Sequence, residues 1–201
     1  MAKRIEFFFD CSSPWTYLAF HNVQPLARAA GAEILWRPIL VGGVFNAVND
    51  SIYRERAAPV PAKEAYQAKD IADWARLSGI TIRWKPSIFP INSVRAMRGC
   101  IVAAGEGVLV EHARRVFEAY WRDDRDITQD SVLAEIAAAC GLDPARYFAA
   151  IASDEIKGRL RQNTDALIAR GGFGSPTMFV GDDMYFGNDR LPLVKAALER
   201  G

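Results

Sequence analysis

Apolar and polar residues are arranged in two textures along the chain. Ile5 to Phe9 is a short apolar run, broken only by Glu6 and ended by Asp10, which reads as a buried strand. A helical period follows to about Ala30. It opens at Ser13-Pro14, a capping residue followed by a proline suited to the first helical position, and closes at Gly31. Glu33 to Arg37, with Ile34, Leu35 and Trp36, reads as a second strand before Pro38. Strand, helix and strand make a βαβ unit, whose strands are expected to be parallel and joined by a right-handed crossover.

The texture then becomes helical. Val41 to about Pro61 holds Gly42-Gly43, scattered asparagines and two prolines, and reads as loop with some helical turns. A long helix is expected from Pro61 to Ser78, stopped by Gly79, with Ala65, Ala68, Ile71, Ala72, Ala75 and Leu77 as inward positions. Thr81 to Pro90 is irregular and aromatic. Asn92 to Ala104 and Val108 to Trp121 have helical period, Asp126 to Cys140 reads as a capped helix, Asp143-Pro144 opens another, and Ser153 caps a last long one stopped at Gly171-Gly172. The chain ends in strand (Thr177 to Val180), turn (Gly181-Asp182-Asp183), strand (Met184 to Phe186) and helix (Leu191 to Arg200). This order predicts an α/β fold in which one discontinuous domain, residues 1–40 and 155–201, is interrupted by an all-helical insertion, residues 41–154.

Composition narrows the field of partners. A net charge of +1 builds no broad basic field, so nucleic acid is not an expected partner. No secretion signal precedes the first strand, and charges interrupt every apolar stretch before it could span a membrane, so a cytoplasmic protein is expected. The three cysteines, Cys11, Cys100 and Cys140, fit neither a disulfide framework nor a zinc site, and Cys11 reads as a small packed hydrophobe at a strand end. His21 and His112 stand alone in sequence, so no metal is expected.

Three local motifs carry candidate chemistry. At the first strand-to-helix junction, where thioredoxin-fold oxidoreductases place Cys-x-x-Cys, the quartet Ser13-Pro14-Trp15-Thr16 has hydroxyls in place of both thiols. Thiol exchange needs a low-pKa attacking thiolate and a resolving partner, and hydroxyls supply neither. A serine at a helix N-terminus can instead donate to the sulfur of a bound thiolate, in a place where the helix dipole favours negative charge. The second motif, Gly174-Ser175-Pro176-Thr177-Met178-Phe179-Val180, is similar to the cis-proline loop before the third strand of that fold. The third is Phe186-Gly187-Asn188-Asp189-Arg190-Leu191. Each has a plainer reading: Ser13 and Asp189 as helix caps, Pro176 as an ordinary strand-start proline, and the aromatics as core.

Together the motifs resemble the bacterial 2-hydroxychromene-2-carboxylate isomerases and the related kappa-class glutathione transferases. The resemblance implies a thioredoxin-like domain with an inserted helical domain, glutathione as the cofactor, and a small aromatic carboxylate as substrate. It implies that Ser13 steadies the glutathione sulfur, that the backbone of Ser175 beside Pro176 pairs with the cysteinyl part, that Asp189 and Arg190 contact the glutamyl end, and that Asn188 also belongs to the glutathione site. Lys63 resembles the family's lysine near the glycyl carboxylate and Asn49 its loop asparagine. Trp15, with Trp84 and Phe89 from the insertion, would wall the substrate pocket. A homodimer is also implied. Two other activities remain open at this point: glutathione transfer or peroxidation at the same site, and thiol-disulfide exchange through Cys11.

Overall fold

A computed structural model describes residues 3–200; Met1, Ala2 and Gly201 lie outside the described residues. Strand β1 (Arg4–Phe9) pairs in parallel with β2 (Glu33–Pro38), Ile5 facing Ile34 and Phe9 facing Pro38, across the crossover helix α1 (Pro14–Ala30). On its other edge β1 runs antiparallel to β3 (Thr177–Val180), with Phe8 facing Thr177, and β3 pairs antiparallel with β4 (Asp183–Phe186). The sheet order is β2-β1-β3-β4.

The continuous apolar run of β1 follows from this central position, which is covered on both faces. Ile5, Phe7 and Phe9 point into the main core, where Phe20 of α1, Trp36 and Phe117 meet the Phe9 ring. Phe8 points the other way, onto Phe179 and Leu167. Glu6, the one break in the run, shares that second face and is held by Arg37 at 3.2 Å and Arg170 at 2.7 Å.

Between the two halves of the sheet the chain is helical: α2 (Val41–Val48), α3 (Ser51–Ala57), α4 (Pro61–Ser78), α5 (Val94–Gly105), α6 (Leu109–Phe117), α7 (Asp130–Ala139), α8 (Pro144–Ala152) and α9 (Asp154–Ala169). Helix α10 (Leu191–Arg200) closes the fold after a short 3-10 turn at Asn188–Arg190. Among the described residues no helix is long and apolar enough to cross a membrane, and no cluster of His, Cys, Asp and Glu could hold a metal ion.

Several elements depart from the sequence expectation. Val41 to Ala57 forms two helices rather than loop with some helical turns, and the start of α2 is held from outside: Leu40 donates its N–H to Thr164 Oγ1 at 3.0 Å and Val41 donates to the Asp10 carboxylate at 2.8 Å. Asp126 does not cap α7; it accepts from Thr128 and Gln129, and the helix begins at Asp130. Helix α4 buries only Ile71 and Ala75, and Leu77 is 77% exposed, so the inward stripe is narrower than the alanines suggest. Helix α6 runs on into a π turn, Glu118–Arg122.

Candidate active site

The site grows from the β1–α1 junction. Ser13 is extended (φ −109°, ψ 126°) and caps α1, its Oγ accepting from the Thr16 N–H at 3.3 Å. The same hydroxyl donates to the Ser175 carbonyl at 3.3 Å, so one oxygen joins the helix start to the loop before β3. The Ser175–Pro176 bond is cis. Thr16, the second hydroxyl of the quartet, shares a hydrogen bond with Ser175 Oγ at 2.8 Å, and Ser175 Oγ also accepts from the Asp10 N–H at 3.0 Å. The first and last positions of the quartet therefore both grip the cis-proline loop. Among the described residues the Ser175 N–H has no partner, and its carbonyl meets only Ser13.

In sequence Asp10 marks only the end of a strand, yet it organises the junction. Its fully buried carboxylate accepts from the Ser12 N–H at 2.9 Å, the Val41 N–H at 2.8 Å and the Ser93 hydroxyl at 3.0 Å. Burial pushes its pKa up, and these donors oppose that rise. Next to it Cys11 is 1% exposed; its N–H meets Met97 Sδ at 3.3 Å and its carbonyl accepts from Trp121 Nε1 at 2.8 Å. Burial, reinforced by the neighbouring Asp10, pushes the Cys11 thiol well up. It is the packed thiol that the sequence suggests.

Trp121 is the other residue without a mark in the sequence, since an aromatic in a helical period reads as core. The structure stacks Trp84 on it, centroids 6.3 Å apart with 9° between planes, and sets Phe89 against both rings. Tyr120 donates to the Ile88 carbonyl at 2.9 Å, which fastens the aromatic loop to the π turn. Trp84 and Phe89 are in contact, whereas Trp15 is half-buried and, among the described residues, no ring pairing joins it to them. Lys85 pairs with Glu64 at 3.0 Å, which brings the first turn of α4, and with it exposed Lys63, beside the same loop. Asn49 Nδ2 donates to the Phe173 carbonyl at 3.0 Å, two residues before Ser175.

Before α10, Asp189 and Arg190 are exposed and paired with each other, and Asp189 makes no capping bond among the described residues. Gly187 holds φ +104°, and a Cβ there would stand 2.7 Å from Asp189 Oδ1, so glycine is required for this turn. Asn188 is 3% exposed, accepts from Asn22 Nδ2 at 3.1 Å, and has an Nδ2 without a partner among the described residues. It stands inside the turn that presents Asp189 and Arg190 rather than on its surface.

A second cluster lies in the helices. His112, isolated in sequence, has Cys100 Sγ 3.6 Å from Nδ1 and the Tyr147 hydroxyl 3.1 Å from Nε2, all fully buried. Burial lowers the His112 pKa to about 4 and pushes the Cys100 thiol up. All three side chains are neutral near pH 7.

The sheet order and the β1–α1 junction define a thioredoxin-like protein whose junction carries hydroxyls at Ser13 and Thr16 and a buried cysteine at Cys11. Residues 4–199 match the family described as DSBA-like thioredoxin domain. The chain is 32% identical over 198 residues to a 2-hydroxychromene-2-carboxylate isomerase of Pseudomonas putida, covering 98% of this chain and 94% of that one. It is 28% identical to glutathione S-transferase kappa 2 of Caenorhabditis elegans, covering 96% and 90%. A solved 2-hydroxychromene-2-carboxylate isomerase superposes with a TM-score of 0.83 at 30% identity, over 98% of this chain and 95% of the other. The chain belongs to the DSBA-like thioredoxin family, within its 2-hydroxychromene-2-carboxylate isomerase branch.

Proposed function

We propose that the chain is a glutathione-dependent isomerase that interconverts 2-hydroxychromene-2-carboxylate-type aromatic carboxylates with trans-o-hydroxybenzylidenepyruvate. The reading rests on one observation above the others: the Ser13 hydroxyl, at the N-terminus of α1, reaches across to a cis-proline loop whose Ser175 N–H is unpaired among the described residues. A strand-like peptide can use that N–H and carbonyl, as glutathione would. When bound, glutathione supplies a sulfur nucleophile that adds reversibly to the benzylidene carbon, so the double bond becomes a rotatable single bond, and the thiolate is recovered on departure.

The protein's part is to hold charge. Ser13 turns its hydroxyl from the Ser175 carbonyl to the sulfur, keeping its bond from the Thr16 N–H, and the α1 terminus favours the thiolate. Asp189 would take the glutamyl ammonium and Arg190 its carboxylate, with Asn188 beneath them. Lys63 and Asn49 would serve the glycyl end. Trp84 and Phe89, backed by Trp121, form an aromatic wall for the substrate, with Trp15 beside Ser13. A cytoplasmic homodimer without nucleic-acid or membrane partners belongs to the same reading.

Kappa-class relatives support a second reading, in which the same thiolate is transferred to an electrophile. Thiol-disulfide exchange through Cys11 is disfavoured by its burial and raised pKa. Product analysis with 2-hydroxychromene-2-carboxylate separates the two glutathione readings. Isomerisation leaves total glutathione unchanged and stops when it is omitted; a lasting conjugate supports transfer, and turnover without glutathione refutes both.

A further inference from the structure

Ser13 caps α1, so Thr16 is the third residue of that helix. A threonine inside a helix ordinarily turns its hydroxyl back onto the carbonyl one turn earlier, as Thr164 does with Leu160 at 2.8 Å. A polar side chain at the third position can instead return to the N–H of the cap residue. Thr16 does neither. Among the described residues its hydroxyl has one partner, Ser175 Oγ, 159 residues away in sequence. The contact is sealed, with Thr16 fully buried and Ser175 8% exposed.

Among the described residues, three hydrogen bonds join Ser175 to the β1–α1 junction, and they differ in strength. Ser175 Oγ holds Thr16 Oγ1 at 2.8 Å and the Asp10 N–H at 3.0 Å, ordinary lengths for each kind. Ser13 Oγ reaches the Ser175 carbonyl at 3.3 Å, beyond the usual range for a hydroxyl donor. That long bond is also the one Ser13 gives up when its hydroxyl turns to a thiolate. The two firm attachments thus belong to the Ser175 side chain, and the weak one to the hydroxyl with chemistry to perform. Releasing Ser13 leaves the loop still fastened.

Thr16 suits the task. Its backbone is fixed by the first turn of α1, and its branched side chain is stiff about χ1, so its hydroxyl is a rigid post.

We propose that Thr16 is a positioning residue of the glutathione site: through Ser175 Oγ it keeps the Ser175 N–H and carbonyl in place for a peptide ligand, and so frees the Ser13 hydroxyl to leave the loop for the sulfur. The proposal rests on the glutathione reading above and assigns peptide recognition and thiolate chemistry to different hydroxyls. S-methylglutathione, which keeps the peptide but has no thiol, separates the two. Calorimetric titration of the full chain is expected to show its binding weakened roughly fivefold in Thr16→Val, the scale of one lost hydrogen bond. Thr16→Ser restores it to within twofold, and Ser13→Ala weakens it less than twofold. Ser175→Ala removes the same contact, so adding Thr16→Val to it changes little. In turnover, the glutathione KM rises in Thr16→Val, whereas kcat falls in Ser13→Ala.

Affinity unchanged in Thr16→Val, a loss in Thr16→Ser as large as in Thr16→Val, or an equal loss in Ser13→Ala would each overturn the role of Thr16 alone. A parent chain that binds neither glutathione nor its S-methyl form overturns the glutathione reading and this one with it. Thermal melts check that each variant unfolds cooperatively, and Ser175→Ala reads the same contact by a second route.

Discussion

Two clusters of reactive side-chain types occur in this molecule, and the fold treats them in opposite ways. Ser13, Thr16 and Ser175 meet where a helix begins and a strand is about to start, with backbone groups left free for a strand-like ligand. Cys100, His112 and Tyr147 meet inside a helical layer, sealed from water, with a thiol raised and an imidazole lowered by burial. By residue type the sealed cluster is closer to a catalytic constellation, since it has a nucleophile beside a base. Access and protonation reverse that ranking: near pH 7 a thiol held protonated next to a histidine held neutral is packing with hydrogen bonds.

The largest expected effect strikes the open cluster. Ser13→Ala should lower kcat of the glutathione-dependent isomerisation by roughly 10²–10³, the scale for losing one aligned donor. Its stability cost should be only about 1 kcal/mol, from the lost cap. Cys100→Ala in the same assay should leave kcat unchanged; a comparable fall would erase the distinction between the clusters.

The sealed cluster should instead govern stability. The folded His112 pKa lies below the unfolded value, so the unfolded chain takes up a proton first as pH falls. Stability is full above pH 6.5 and declines as pH drops from 6.5 towards 4, by on the order of 3 kcal/mol. Urea unfolding at pH 7 and pH 4.5 checks this, and His112→Gln should show a smaller drop between the two.

A smaller effect tests the seal. A Cβ on Gly99 would stand 1.9 Å from the Tyr147 hydroxyl, so Gly99→Ala should cost roughly 2 kcal/mol, read as a lower midpoint with catalysis retained. A comparable cost, roughly 2 kcal/mol, is expected for Trp121→Phe, which leaves the Cys11 carbonyl unpaired and part of a fully buried ring's volume empty, and which should reduce turnover much less than Ser13→Ala.

The chain discloses local chemistry well and distant partnership poorly. The long helix from Pro61 to Ser78, the Ser13, Asp143 and Ser153 caps and the glycine stops are readable because each depends on neighbours in sequence. Helix α2 is not, because its first N–H groups are satisfied by Asp10 and Thr164 from remote segments and its own residues include Gly42 and Gly43. Asp126 is placed in sequence as a cap would be, but its carboxylate is taken up by a turn. In the site, Ser13 and Pro176 are legible through motif. Asp10 and Trp121 are not, since a strand-ending acid and a helical aromatic carry no local mark of what they hold.

The Asp10 carboxylate draws its three donors from Ser12, Val41 and Ser93, which belong to three separate stretches of chain. A builder who excised the helices to obtain a smaller scaffold would leave that acid with one native donor and open to water. The loop carrying Ser13 would then lose its keystone, so transplanting this chemistry means moving all three stretches together.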